Sequence, residues 1–399
     1  MRLLIVSSVI HYRYDSCLHA YGPYAREIDI WADLFPEVII AAPCRDAAPP
    51  GDCLPFTRRN ISIQPQKETG GVTLKAKALQ ILSLPDLIWG LMRAMRSADA
   101  IHIRCPGYLG LLGAWLAPLF SKRLVAKFAG QWSGFPGMPL SMRLERWLLR
   151  SAWWRGPVTV YGRWPNEPRH IIPFFTSIMT SDQMARARAA FEGRIASDTL
   201  QVLYTGRLDA AKNVGTLIEA IAKLKTQAVF LKCVVVGDGP HRSTLEVQAT
   251  ELGLRECIEF VGSVSFERVL DFYEQSDVLV LASNNEGWPK SIAEGMAFGL
   301  ICIGSNRGLV PEMLGEGRGL VVPPGDADAL AQVLGGIAIA PQNYRATRAK
   351  AFAWAQQYSL EGLRDALREL LSAHWGVSFK MLEPADEQPK DQYPRDALT

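Results

Sequence analysis

Short apolar runs alternate with helix-patterned stretches along this chain, and the alternation begins twice. One series comprises residues 3–7, 37–42, 100–103, 124–128 and 158–161, with a helix from Gly22-Pro23 through Ala32 between its first two runs. The second comprises 200–204, 229–236, 258–261, 278–281, 300–303 and 320–322. Apolar runs separated by helices are what a parallel sheet requires, because each crossover lays a helix on a sheet face and both faces are buried. Two series within 399 residues predict an α/β protein of two Rossmann-like domains. The expected boundaries are 1–180 for the first domain, 181–199 for a polar, Ala/Arg-rich linker and 200–342 for the second domain. Residues 343–378 read as helices that pack back on the first domain, through the stripe Leu363, Leu367, Leu370 and Leu371. Residues 379–399 read as a disordered tail, acidic and Pro-containing with few apolar residues.

Net charge is only +3, but residues 1–190 hold 23 Lys and Arg against 13 Asp and Glu, a local excess of +10. The remainder carries −7, so the first half is expected to meet something anionic. The seven cysteines are scattered without a C-x-x-C pair, which points to a reducing, cytoplasmic compartment. Met1–Val6 is too short an apolar run for a signal peptide and reads as a buried strand. The longest apolar run, 108–120, contains glycines and a proline and falls short of a membrane span.

Chemistry concentrates after the strands of the second series. Glu286 and Glu294 straddle a Gly-Trp-Pro turn and the helix start that follow the 278–281 strand. Unpaired N–H groups at such a terminus favour an anion, and carboxylates on either side can accept hydrogen bonds from polyol hydroxyls. Gly206-Arg207 and Lys212 follow the 200–204 strand, with Asn213 positioned to cap the next helix. Cations at the C-terminal end of a parallel strand sit where open α/β sheets bind phosphates, and they stabilise charge developing on a departing phosphate. Solvated surface charges are the plain alternative. Val236-Gly237-Asp238-Gly239 and Phe260-Val261-Gly262 end two further strands, in glycine turns that allow close backbone approach. The whole suits a nucleotide-sugar, with its diphosphate central and hydroxyls at both ends.

Taken together with Gly319-Leu320-Val321-Val322-Pro323-Pro324-Gly325-Asp326, these segments resemble the retaining, nucleotide-sugar-dependent glycosyltransferases of family 4, which have the GT-B fold. The resemblance covers residues 200–330 closely. It implies two Rossmann-like domains facing a cleft and a C-terminal helix returning to the first. It implies that Arg207 and Lys212 hold the diphosphate, that Glu286 lies by the donor sugar and that Glu294 binds ribose hydroxyls. Gly237, Val261, Gly287 and the N–H groups near Lys290 and Ser291 would line the donor site. No metal or other cofactor is implied, and Asp326-Ala327-Asp328 reads as a helix cap rather than a metal-binding D-x-D. The expected reaction moves a hexosyl group from a UDP- or GDP-sugar to a hydroxyl acceptor, in exopolysaccharide, lipopolysaccharide or glycolipid assembly. A non-catalytic nucleotide-sugar-binding protein on the same fold is the alternative, and a glycoside hydrolase a lesser one that leaves Arg207 and Lys212 idle.

The first half departs further from that family. Gly22, after a long 7–21 loop, stands where relatives carry a glycine turn near the donor phosphates. Many relatives place a histidine after the strand matching 124–128; here Gln131 follows, to orient substrate or to have no such role, and His102, inside a strand, reads either as a packed core histidine or as a substrate-orienting one. Arg143, Arg146 and Arg150 share one helical face with Trp147 at its edge. That pattern fits an ordinary domain helix, or one lying on an anionic membrane that holds a lipid-linked acceptor. Nothing in the chain matches a nucleic-acid recognition motif.

Overall fold

The computed structural model of the chain describes residues 1–69, 79–135, 137–194 and 199–379. It divides into two units, 1–174 joined by the segment from Leu363 onward, and 175–362.

The first unit holds a seven-stranded parallel sheet. Its order is Ile171–Phe174, Val158–Tyr161, Arg123–Phe128, Ala100–Cys105, Arg2–Val6, Glu37–Ala42, Ile61–Pro65. Leu4, Val6, Ile101, Ile103, Leu124 and Phe128 face helices Leu84–Met95, Tyr108–Leu116 and Leu140–Arg150, which contribute Leu87, Leu91, Leu109, Leu148 and Leu149 to one core. Each fully buried aliphatic side chain there stabilises by roughly 1.5–3 kcal/mol before entropy is charged against it. The C-terminal helix Leu360–Trp375 buries Leu363, Leu367 and Leu371, and its Trp375 Nε1 donates to the carbonyl of Leu124 at 3.2 Å. The return of this helix to the first unit is as the leucine stripe predicted.

The second unit is a six-stranded parallel sheet ordered Ile258–Gly262, Leu231–Val236, Leu200–Thr205, Val278–Leu281, Ile301–Ser305, Leu320–Val322. Chain direction across the sheet reverses between Leu200–Thr205 and Val278–Leu281, which are hydrogen-bonded neighbours. That reversal leaves a crevice beyond their carboxyl ends.

Several expectations need correcting. The 7–21 loop contains a hairpin, His11–Tyr14 with Cys17–Tyr21, extended into a small sheet by Cys44–Arg45 and Cys53–Pro55. Its two-residue turn is Asp15-Ser16, both at positive φ (49° and 60°), so it lacks the glycine that marks such turns in a sequence. The edge strands Ile61–Pro65 and Ile171–Phe174 were not foreseen either; each contains a proline, tolerated where no outer neighbour needs its N–H. The expected linker 181–199 is largely the helix Ser181–Glu192, begun by a full capping box between Thr180 and Gln183. Its Arg186 bonds Asp271 and Glu274, each at 2.6 Å. Residues 195–198 lie outside the described residues. The helix Arg345–Ala355, expected on the first domain, belongs to the second unit, where Phe352 stacks on Phe191 with centroids 4.3 Å apart. The expected tail lies outside the described residues from 380 onward.

One buried acid in the first unit sets a pH response. Glu145 Oε1 accepts from the N–H of Gly107, the N-cap of Tyr108–Leu116, at 2.9 Å. Burial pushes Glu145 up to about 7, against the opposing hydrogen bonds from Gly107 and Cys105. The folded chain therefore holds this proton more tightly than the unfolded one, and stability should fall as pH rises from about 4.5 to about 7. Glu145→Gln keeps the acceptor and removes the charge. It should raise stability at pH 8 by about 1–3 kcal/mol and leave pH 4 unchanged, read by thermal melts at both.

Candidate functional site

Two loops meet where the second unit's chain direction reverses. The loop after Leu200–Thr205 is organised by Asp209, whose Oδ1 accepts from the N–H groups of Ala211 (3.0 Å) and Lys212 (3.2 Å). The Tyr204 hydroxyl donates to the carbonyl of Arg207 at 2.9 Å and pins the loop's start. The loop after Val278–Leu281 is stitched alongside: Asn284 N–H donates to Ala211 O at 2.7 Å, and Asn284 Nδ2 reaches Ala210 O at 3.4 Å. Asn213, expected as a side-chain cap, instead adopts a left-handed conformation and sends Nδ2 towards Ala282 O at 3.5 Å.

This stitching brings Lys212 Nζ to 2.6 Å from Glu286 Oε1, although the two are 74 residues apart in sequence. Glu286 is buried and Lys212 only partly so, leaving the ammonium reachable from solvent. Two packing features hold Glu286. Gly308, at φ +53°, lies so close that a Cβ there would fall 1.6 Å from the Glu286 carbonyl oxygen. Trp288, two residues on, is wedged edge-on to Tyr358 (5.5 Å) and stacked near Trp354 (6.4 Å).

Glu294 lies on the helix Lys290–Ala297, which begins at Pro289 without a side-chain cap. Its Oε2 accepts from the Tyr273 hydroxyl at 2.9 Å, and that hydroxyl also lies 2.9 Å from Thr205 Oγ1. Tyr273 thus ties the acid to the end of the central strand; nothing in its amphipathic helix signalled that role. Gly287, Lys290 and Ser291 are half-buried around this helix start. Arg207 is the most exposed of the expected residues, and its Nε sits 3.6 Å from Asp209 Oδ2 rather than against either glutamate.

The glycine at 237 is also required by the packing of the chain itself. At φ +134°, a Cβ there would stand 1.9 Å from Gly206 O, so its bareness lets two of the chain's own loops pack. Gly237 N–H in turn donates to Gly262 O at 2.8 Å, beside half-buried Val261. Asp326 caps the helix Ala327–Ile339 through Ala329 N–H at 2.9 Å, as expected, and Asp328 pairs with Lys223. Among the described residues no cluster of His, Cys, Asp and Glu could hold a metal ion.

In the first unit, Gly22 opens the helix Gly22–Ala32 and packs against Leu54. Gln131 Nε2 donates to Ser133 Oγ at 2.8 Å. His102 is a core residue: fully buried, 4.3 Å from the Trp31 ring, and without a hydrogen bond at either nitrogen. Burial, reinforced by Arg104, drops its pKa to about 3, so it sits in the core as a neutral packing group. Nearby Glu27 accepts from Arg104 (2.6 Å) and Lys127 (2.9 Å). Burial alone would raise Glu27, yet the two cations hold it well below the ordinary carboxylate range.

Residues 186–351 match the family model described as glycosyl transferases group 1. The amylovoran biosynthesis glycosyltransferase AmsK of Erwinia amylovora is 30% identical over 142 residues, 34% of this chain and 35% of its own length. The putative glycosyltransferase EpsF of Bacillus subtilis is 33% identical over 127 residues, 32% of each chain. The chain thus spans about a third of the length of the curated relatives it matches. Among solved structures, Anabaena Alr3699/HepE in complex with UDP superposes with a TM-score of 0.65 over 94% of this chain and all of that one, at 17% identity. WaaG, a glycosyltransferase involved in lipopolysaccharide biosynthesis, gives 0.61 over 94% of this chain and all of that one, at 15% identity. The chain has the GT-B fold of these glycosyltransferases.

Proposed function

We propose that this GT-B chain, with its glycosyl transferases group 1 segment at 186–351, is a retaining glycosyltransferase. It moves a hexosyl group from a UDP- or GDP-sugar to a hydroxyl of a growing envelope polysaccharide or glycolipid. The observation that carries the reading is the Lys212–Glu286 contact at the switch point, a cation and a carboxylate fixed side by side where α/β sheets take phosphates. Lys212, joined by a swing of exposed Arg207, neutralises charge on the departing β-phosphate. Glu286 meets hydroxyls of the donor sugar. Glu294, steadied by Tyr273, binds the ribose diol, and the uncapped start of Lys290–Ala297 receives a phosphate oxygen. The departing phosphate oxygen takes the acceptor's proton from the same face, so the anomeric configuration is kept and no metal ion is needed. UDP in the HepE complex and the polysaccharide setting named for AmsK support the donor and the pathway class. The acceptor is a lipid-linked saccharide at the cytoplasmic face of the membrane; no helix among the described residues is long and apolar enough to cross it.

A thermal-shift panel of nucleotide-sugars tests the reading. One UDP- or GDP-sugar should raise the melting temperature, with or without EDTA, and Lys212→Ala should weaken its binding at least about tenfold. A shift that vanishes in EDTA would end the metal-independent account. No shift with any member would end the donor assignment.

A further inference from the structure

The helix Leu140–Arg150 presents more than an ordinary solvent face. Arg143, Arg146 and Arg150 line a cavity of about 350 Å³ with Trp147, Ser151 and Pro168. Arg150 pairs with Glu167 at 2.8 Å, which leaves three guanidinium groups against one carboxylate. Among the described residues neither Arg143 nor Arg146 has a carboxylate within ion-pair distance. Arg146 stacks over the Trp132 ring at 5.3 Å, and its Nε is buried without a hydrogen-bond partner. Burial and the neighbouring Arg150 both press on its charge, with Glu167 opposing. Its Nη1 reaches only the weak acceptor Met138 Sδ, at 3.9 Å, and a guanidinium held in place without a carboxylate partner is a preorganised anion receptor.

The surroundings say which anion. Leu140, Leu144 and Trp147 are exposed on this helix. On the adjacent helix Tyr108–Leu116, Trp115 is half exposed, and its carbonyl accepts from Trp153 Nε1 at 3.0 Å. Water-exposed tryptophans and leucines beside unpaired arginines are the side chains that settle at a bilayer's headgroup level, rings among the acyl carbonyls and cations at the phosphates. A free phosphate would use the arginines and leave the apolar side chains without purpose.

We propose that this pocket binds the phosphate headgroup of an anionic membrane lipid, with Leu140, Leu144 and Trp147 resting in the interface. It extends the transferase reading, in which the acceptor is held in a membrane, and it is testable without any donor or acceptor. The full chain is sedimented with vesicles of phosphatidylcholine alone and of equal parts phosphatidylcholine and phosphatidylglycerol. Pelleting should require phosphatidylglycerol. Arg143→Gln and Arg146→Gln should each weaken it about fivefold, and Trp147→Ala should weaken it too. Arg143 is exposed, so its variant keeps the fold even if Arg146→Gln does not. Equal pelleting on both vesicle types, or Arg143→Gln pelleting like the parent, overturns the proposal. So does a melting shift with inorganic phosphate that Arg146→Gln abolishes while no vesicle is bound, since the pocket would then serve free phosphate. Loss of nucleotide-sugar binding would refute the transferase reading and leave the vesicle result standing.

Discussion

Glu286→Gln should cut transfer on the order of 10³-fold while nucleoside diphosphate binds nearly as before. The substitution keeps shape and an acceptor oxygen for Lys212, so the ammonium at 2.6 Å is not abandoned and the loop keeps its path. What disappears, in the proposed reading, is the negative charge beside the donor sugar. That charge matters most as the glycosidic bond stretches and the sugar ring turns electron-poor, so the loss falls on kcat more than on KM. In the proposed reading free nucleotide binds through Lys212, Arg207 and the helix start, and Lys212 keeps an acceptor oxygen in the glutamine. Calorimetry with the diphosphate and initial rates with the full donor separate the two effects. An unaltered kcat would remove Glu286 from the chemistry; a collapse of diphosphate affinity would recast it as a structural partner of Lys212.

The sequence made legible those parts of the site that rest on local pattern. Strand ends announce themselves as apolar runs stopped by glycine, so Gly206, Gly237 and the turn before Lys290 could be placed at the carboxyl edge of one sheet. Because a parallel sheet binds ligands at that edge, Lys212 and Glu286, 74 residues apart, could be placed at the same site, though not as an ion pair. Partners arriving from elsewhere were not legible. Tyr273 sits in a helix whose pattern only says that its side chain is buried, and the 2.9 Å bond to Glu294 depends on how that helix docks. Arg207 was named from its neighbours, but a long side chain on a loop has no pattern to fix its pose, and here it turns to Asp209.

Backbone conformation hid other features in the same way. The Asp15-Ser16 turn makes a hairpin without glycine, and so read as loop. Polar composition suggested a linker at 181–199, yet Thr180 and Gln183 already spelled a capping box, a local signal that composition outweighed. His102 was ambiguous because a histidine inside an apolar strand looks the same whether it is packed or catalytic. Only the Trp31 ring at 4.3 Å and the absence of any bond at its nitrogens decide the matter.

Gly308→Ala should be the most damaging single-methyl change in the second unit. Two costs add. At φ +53° an alanine carries left-handed strain of about 1 kcal/mol. Its Cβ would also stand 1.6 Å from the carbonyl oxygen of Glu286, a backbone atom that cannot swing aside as a side-chain tip would. Relief requires one loop to move, at a further cost of about 1–3 kcal/mol, and the loop that moves carries Glu286 away from Lys212. Melting should fall by roughly 6–12 °C and transfer should drop at least about a hundredfold. Gly325→Ala supplies the control. It shares the left-handed backbone at φ +76°, but its nearest neighbour would be 3.9 Å away, so only strain remains and melting should drop by about 2–4 °C with activity intact. Equal losses in the two variants would mean that backbone strain, not the loop held against Glu286, sets the cost.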